Sequence, residues 1–412
     1  MNNPNFWRTL GPGLLFSGAA VGVSHLVQST RAGALYSLAL VGVIILISIL
    51  KYPAYRFGVD YGQSARRSLL AGYKELGLWA PILFCLIIIP VAPIIVAAIS
   101  ATTAGLLGAL TGIDAPLPVL VFVVLSATAF LIIVGGYGWL DRINRILMVF
   151  LTLATLATTV LVLPRIEWGT LADVSWTSDP TALLFIIALA GFLPNPLDIS
   201  IPQSIWTVEA EENVAPQDRA SLSDARTGFF SGYVVTALLA ICFCIMGAGV
   251  MHSGSMEPVS DAVGFATQIV GLYRETLGTV PSILAAISAL AVMASTMLVA
   301  FDAYGKSFTA AYQEIGEVDD PAKLRRAYIV IVLTVAALAF ATLVFLLADF
   351  GSFVDLATSL AFLSAPIIAT LNHLVVTRCA MPEEARPSAA IKALNIVAIA
   401  VMAIMTIGFF VL

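Results

Sequence analysis

Two hydrophobic stretches that a continuous helix would avoid constrain this chain more than anything else in it. The first, GAAVGVSHLVQSTRAG, runs from Gly18 to Gly33 and carries Gly18, Gly22, Ser24, His25, Gln28, Ser29 and Thr30 in its middle. The second, ALAGFLPNPLDISIPQS, runs from Ala188 to Ser204 and sets Pro194, Pro196 and Pro202 around Asn195 and Asp198. A proline inside a helix removes a backbone donor and clashes with the preceding turn. In lipid the carbonyls it frees need other partners, so such a break survives only where it is buried in protein or lines a cavity. Two breaks at corresponding places in two halves of a chain point to the binding site of a secondary transporter.

The rest of the sequence supplies the membrane. Of 412 residues 60% are hydrophobic and 11% charged, with a mean hydropathy of +0.99, against about 25% charged in soluble domains. Runs of roughly 20 apolar residues mark crossings. Eleven are expected, over 12–34, 36–55, 78–108, 117–137, 143–163, 182–205, 227–250, 281–306, 327–348, 353–377 and 390–411. The first is read as a mature helix, not a cleaved leader, because no clear cleavage site ends it. Pro90 and Pro93 predict a kinked or tilted third span, and Arg56 to Lys74 predicts an amphipathic segment at the interface.

With the N-terminus cytoplasmic, 17 of the 20 Lys and Arg fall on the inner side, Arg165 and Arg274 fall outside, and Arg31 lies within the first helix. That bias predicts eleven crossings in the plasma (inner) membrane, N-terminus in and C-terminus out. The breaks fall in spans 1 and 6. Five is odd, so a unit over 1–163 and a second over 182–377 enter from opposite sides as an inverted repeat, with 390–411 appended. The fold class expected is all-α and polytopic. The four cysteines show no metal-ligand spacing and read as small apolar packing residues. No nucleic-acid motif, cofactor motif or nucleophile–base constellation is present. The expectation is a transporter and not an enzyme, with no cofactor; its partners are the lipid bilayer and a small ion or solute. The oligomeric state is left open and is compatible with a monomer.

The opening GPGLLFSGAAVGVSHLVQSTRAGALYSLALVGVIIL resembles the start of the NRAMP divalent-metal transporters, which also begin Gly-Pro, break helix 1 and follow the break with an Ala-Gly step. The resemblance continues through the basic linker before the third span, the ALAG–Pro stretch, STMLVAFDAYGKSF and LATSLAFLSAPIIA. It implies the amino acid–polyamine–cation transporter fold, a five-plus-five inverted repeat with helices 1 and 6 unwound at the site. The family's metal-binding positions differ here. Where it carries Asp and Asn in helix 1, this chain has Gly22 and His25. Where it carries Met-Pro-His in helix 6, this chain has Leu193, Pro194 and Asn195. No Asp or Glu occurs from Leu78 to Leu110, so the family's helix 3 acids are absent.

The substrate-binding candidates are Gly22, Ser24, His25, Gln28, Asn195 and Asp198, with carbonyls freed at both breaks. For a metal the ligands would be Asp198, Asn195 and His25. An ionisable residue within a membrane is functional by default, which puts Asp198 first; its plainer reading is a charge paired near the inner end of its helix. His25 is either a ligand or proton acceptor, or a donor tying down unwound backbone. Arg31 either snorkels to the outer interface or sets a positive charge in the outer vestibule. Arg31, Ser295, Thr296 and Asp302 are the coupling or gating candidates, although Asp302 stands four residues before Lys306 and so pairs with it in the plainer reading.

The function expected is secondary transport, most directly of a divalent metal cation by alternating access. The alternative is a small organic or anionic solute on the same scaffold, held at half-helix N-termini. A non-transporting sensor has no need of two broken helices.

Overall fold

The computed structural model describes residues 21–135, 138–212, 214–215, 218–347 and 349–412, and the side chains of these outside 138–148. Among them all regular structure is helical. In chain order the α-helices are α1 (Thr30–Tyr36), α2 (Val41–Ala65), α3 (Leu69–Leu76), α4 (Trp79–Thr111), α5 (Leu117–Val134), α6 (Gly138–Val162) and α7 (Pro180–Phe192). Then follow α8 (Ser200–Glu212), α9 (Leu222–Met246), α10 (Ala262–Leu277), α11 (Thr279–Gly316), α12 (Pro321–Leu346), α13 (Phe350–Arg378) and α14 (Ala389–Val411).

Nine helical spans among the described residues are long and apolar enough to cross a bilayer, with Pro180–Glu212, which joins α7 and α8, counted as one. Of the other two expected crossings, one is represented by a shorter apolar stretch, Val149–Arg165, and the other falls largely on residues 1–20, including Gly18, which lie outside the described residues. The protein is an integral membrane protein. Its layering follows from which helices carry polar groups they must hide. In Pro180–Glu212, 83% of the apolar stretch is buried, against 17% in Ala389–Val411 and 22% in Pro321–Leu346. The broken span is therefore central, while α12 and α14 present Phe345, Val330, Ile404 and Phe410 outward, where lipid is the matching solvent.

Helix ends are fixed by short polar side chains. Ser221 and Asp224 form a reciprocal capping box at the start of α9, and Asp349 accepts from Ser352 N at the start of α13. Each satisfies backbone donors that would otherwise be orphaned. Close helix crossings are set by glycines. A Cβ on Gly191 would lie 1.7 Å from Thr358 O, one on Gly33 1.8 Å from Cys244 O, and one on Gly247 2.2 Å from Thr30 O. Small residues let backbones approach where no water drives helices together.

Two expectations about the second span need correction. It runs to Ala65, not 55, despite Pro53 inside it. The segment read as interfacial is mostly interior: Leu69, Leu70 and Tyr73 of α3 are fully buried, and Tyr73 OH donates to Asn372 Oδ1 at 2.6 Å. Its Arg67 pairs with Glu75 on the surface. The basic residues that suggested an interface lie at one end of a helix hairpin whose apolar side is covered by α13. The third span is a single 33-residue helix, with Pro90 and Pro93 inside it. The cysteines are free, and at the end of α13 burial pushes the Cys379 thiol up to about 11, which suits a packing residue.

Candidate functional site

The sixth span is interrupted where its prolines predict. Backbone bonding in α7 stops at Phe192; a bend covers 193–195, and a short 3-10 turn, Leu197–Ile199, leads into α8. In the first span the described residues bend at Val21 and Gly22 and then wind as a wide π-helical turn, Ser24–Ser29, running into α1. Such turns are rare and concentrate at functional sites. Gly22 has a packing reason: a Cβ there would come within 3.0 Å of Thr296 Cγ2, and Thr296 Oγ1 donates to Val21 O at 3.3 Å. The gap in helix 1 thus leans on α11.

Between the breaks, α4 and α11 lies a cavity of about 40 Å³. At roughly 10–15 Å³ per water position it has room for about three waters. Its polar lining comes from Ser24, Asn195, Asp198, Thr296, Tyr304 and Ser307, and its apolar wall includes Val23, Phe84, Ile95, Ile99 and Phe192. Asp198 is the one carboxylate among these lining residues. It is 6% exposed, sits in the first turn at the N-terminal end of the α8 half, and takes a hydrogen bond from the Tyr304 hydroxyl. A negative group at a helix N-terminus matches the end of the dipole it faces. Asn195 is 4% exposed and its Nδ2 has no hydrogen-bond partner among the described residues.

Of the sequence candidates, Ser24, Asn195, Asp198 and Thr296 come together around this cavity, with Gly22 packed beside it. His25 turns elsewhere. Its Nδ1 meets Ser24 Oγ at 2.7 Å and its Nε2 meets Thr236 O of α9 at 2.8 Å, with Phe243 edge-on to the ring. Both nitrogens are engaged, as the structural reading of this residue has it. Gln28 is also away from the cavity, donating to Asp355 Oδ1 at 2.8 Å and Thr358 Oγ1 at 3.0 Å.

Arg31 does not stand alone. It forms a two-pronged pair with Asp355 of α13, 2.7 Å from Oδ1 and 2.9 Å from Oδ2. It also donates to Gln28 Oε1 at 3.0 Å and lies 5.3 Å from the centre of the Phe185 ring. Asp302 pairs with Lys306 at 3.0 Å and accepts from Trp206 Nε1 at 2.8 Å and Tyr328 OH at 3.2 Å. That network braces α8 against α11 and α12. Neither Asp302 nor Ser295 lines the cavity.

The carbonyls of the helix 6 break are not open to a ligand. Lys51 of α2, 1% exposed, donates to Ala190 O at 2.9 Å, Gly191 O at 3.2 Å, Leu193 O at 2.7 Å and Asn195 O at 2.7 Å. Tyr55 OH also donates to Asn195 O. These two residues, with Asp355 and Tyr304, are what reading the sequence missed. The signal for Lys51 was weak: Pro53 and Gly58 follow it, yet the helix runs on through them to Ala65 and so places it inside. Among the described residues no three His, Cys, Asp or Glu cluster as a metal site.

No family model matches the chain. The uncharacterised protein PM0681 of Pasteurella multocida is 32% identical over 379 residues, covering 90% of this chain and 86% of that one. The two proteins belong to one family. Among solved structures, the Eremococcus coleocola manganese transporter in complex with an aromatic bis-isothiourea compound matches with a TM-score of 0.70 at 15% identity, covering 98% of this chain and 87% of the other. MhsT in complex with L-phenylalanine matches with a TM-score of 0.66 at 16% identity, covering 98% of both chains. The chain therefore shares the helical fold of these two structures, as its opening stretch implies.

Proposed function

We propose that this protein is a secondary transporter that moves a small, hard, partly hydrated divalent cation by alternating access through the cavity between the two breaks. The observation that carries this reading is Asp198: a buried carboxylate, alone of its kind among the lining residues, in a cavity of about 40 Å³ whose other polar groups are hydroxyls and an amide. The donor set is all oxygen, without imidazole or sulfur. Hard cations take oxygen ligands, and a Mg²⁺-like ion keeps several waters while binding one or two carboxylates. Soft thiolate and thioether ligands, which favour softer metals, are missing: Leu193 stands where the family resemblance places methionine. With the helix 6 carbonyls held by Lys51, the ion would meet Asp198, the hydroxyls of Ser24, Tyr304 and Ser307, the Asn195 amide and its own water. His25 is no ligand in this reading.

The five-helix units over 1–163 and 182–377 would rock about this site, with α14 appended. The basic bias of the loops supports an N-terminus in the cytoplasm. Arg31 and Asp355 would close the outer side of the path, and Asp302 with Lys306 and Glu209 the inner. Calorimetric titration of the purified protein with Mg²⁺, Mn²⁺, Ca²⁺ and Cd²⁺ tests the cargo. Saturable binding of the hard ions, lost in Asp198→Ala and retained in His25→Ala, is the expected result.

A second reading has its own support. The apolar wall of Phe84, Ile95, Ile99 and Phe192 and the unpartnered Asn195 Nδ2 would suit a small organic solute with an acceptor group. A cavity of this volume is well short of the 150 Å³ that takes benzene, so that reading also requires the site to widen. Well-folded protein that binds no divalent ion, but is stabilised by a small amine or carboxylate, would favour it.

A further inference from the structure

The surroundings of Lys51 differ from those of an ordinary buried lysine. Its four hydrogen-bond acceptors are all backbone carbonyls, at 2.7–3.2 Å, and an ammonium has only three N–H groups to give. The group is encircled, in the way rings of carbonyl oxygens replace the hydration shell of an ion. The ring follows from the break. The last carbonyls of a helix have no intrahelical donors. Pro194 has no N–H to offer, and the bend at 193–195 turns the carbonyls of Leu193 and Asn195 out of any helical ladder. These oxygens gather at the C-terminal end of the thirteen-residue α7, where the helix dipole is negative. Across the break, Asp198 stands in the first turn of the segment that leads into α8.

We propose that Lys51 is a resident cation: its ammonium fills a carbonyl cage in the helix 6 break that would otherwise take a free monovalent cation of ammonium or potassium size. The tether makes this cage permanently loaded, so the carrier needs no sodium or potassium ion there to hold the break in shape. Lys51 does not line the substrate cavity; it is a positioning residue that acts on Asn195 through the Asn195 carbonyl. The inference goes beyond the cargo proposed above and is independent of it.

The test is chemical rescue. Lys51→Ala removes the atoms of one propylammonium ion beyond Cβ. The wild-type Tm is expected to be the same in NaCl, KCl, propylammonium chloride and choline chloride at equal ionic strength. Lys51→Ala is expected to lose about 5–10 °C in choline chloride. Propylammonium or ammonium chloride should restore at least half of that loss along a saturable curve, while choline, too large for the cage, restores none. Lys51→Met keeps most of the stem and removes the charge; it should be destabilised as well. If Lys51→Ala is too unstable to purify in choline, recovery of monodisperse protein in propylammonium is the rescue readout. Equal loss in every salt, or a Lys51→Met variant as stable as wild type, would overturn the proposal, because packing of the stem would then explain the residue. All of these readouts are stability measurements, so their outcome does not depend on which solute the protein carries.

Discussion

Asp198, His25 and Lys51 are three ionisable residues in one membrane interior, and their neighbours give each a different part. Asp198 faces a cavity with room for water, Lys51 donates to backbone carbonyls, and His25 is tied at both nitrogens. Replacing His25 by Ala leaves the buried Thr236 carbonyl without that partner, so a loss of about 1–3 kcal/mol is expected. Thermal or denaturant unfolding in detergent would show it, with divalent affinity changed less than about twofold. A large loss of affinity without a loss of stability would return His25 to the site. Asp198 and Asn195 were legible in the sequence because prolines flank them, and a proline-broken span has few structural uses other than a site. His25 was not, because the same imidazole serves as ligand or as tether, and only its partner 211 residues away decides. Asp355 was equally hidden. It reads as an acid in the first turns of a helix until Arg31, 324 residues before it, is seen against it.

Elements explain where those side chains can be. The α7 half reaches the middle of the bundle because Gly191 lets α13 pass at backbone distance. Gly191→Ala is therefore expected to destabilise the protein by about 3 kcal/mol, or to stop assembly, measured as Tm or as yield of monodisperse protein; an unchanged Tm would mean the crossing can open. The Arg31–Asp355 pair joins α1 to α13 with side chains 13% and 31% exposed. Breaking it with Asp355→Asn is expected to cost about 1–2 kcal/mol. In the reading proposed here it should also raise thiol-reagent labelling of a cysteine placed at Ser24, because the outer side then opens more often. Nine of the eleven expected spans, and the positions of both breaks, followed from hydropathy and from residues that a continuous apolar helix avoids. The length of α2 did not: the polar residues after 55 read as an interfacial amphipathic segment, yet ion pairs of Asp60 with Arg56 at 3.2 Å and Arg226 at 2.7 Å let them stay helical within the bundle.

At the scale of the whole molecule, the central broken helix and the lipid-facing α12 and α14 belong to one helical membrane fold, which matches that of the manganese transporter over 98% of the chain. The proposed orientation has its own check: single cysteines at Ser223 and at Thr177 should label from the cytoplasmic and outer sides respectively, and the reverse pattern would invert the assignment. The account as a whole rests on Asp198 holding the cargo. Its most direct test is divalent-cation uptake into proteoliposomes loaded with a metal-sensitive dye, comparing wild type with Asp198→Asn of matched Tm. The account predicts saturable Mg²⁺ or Mn²⁺ influx in the wild type that falls at least tenfold in Asp198→Asn. Equal influx in both, or none in a wild-type protein that transports a small organic solute instead, would contradict it.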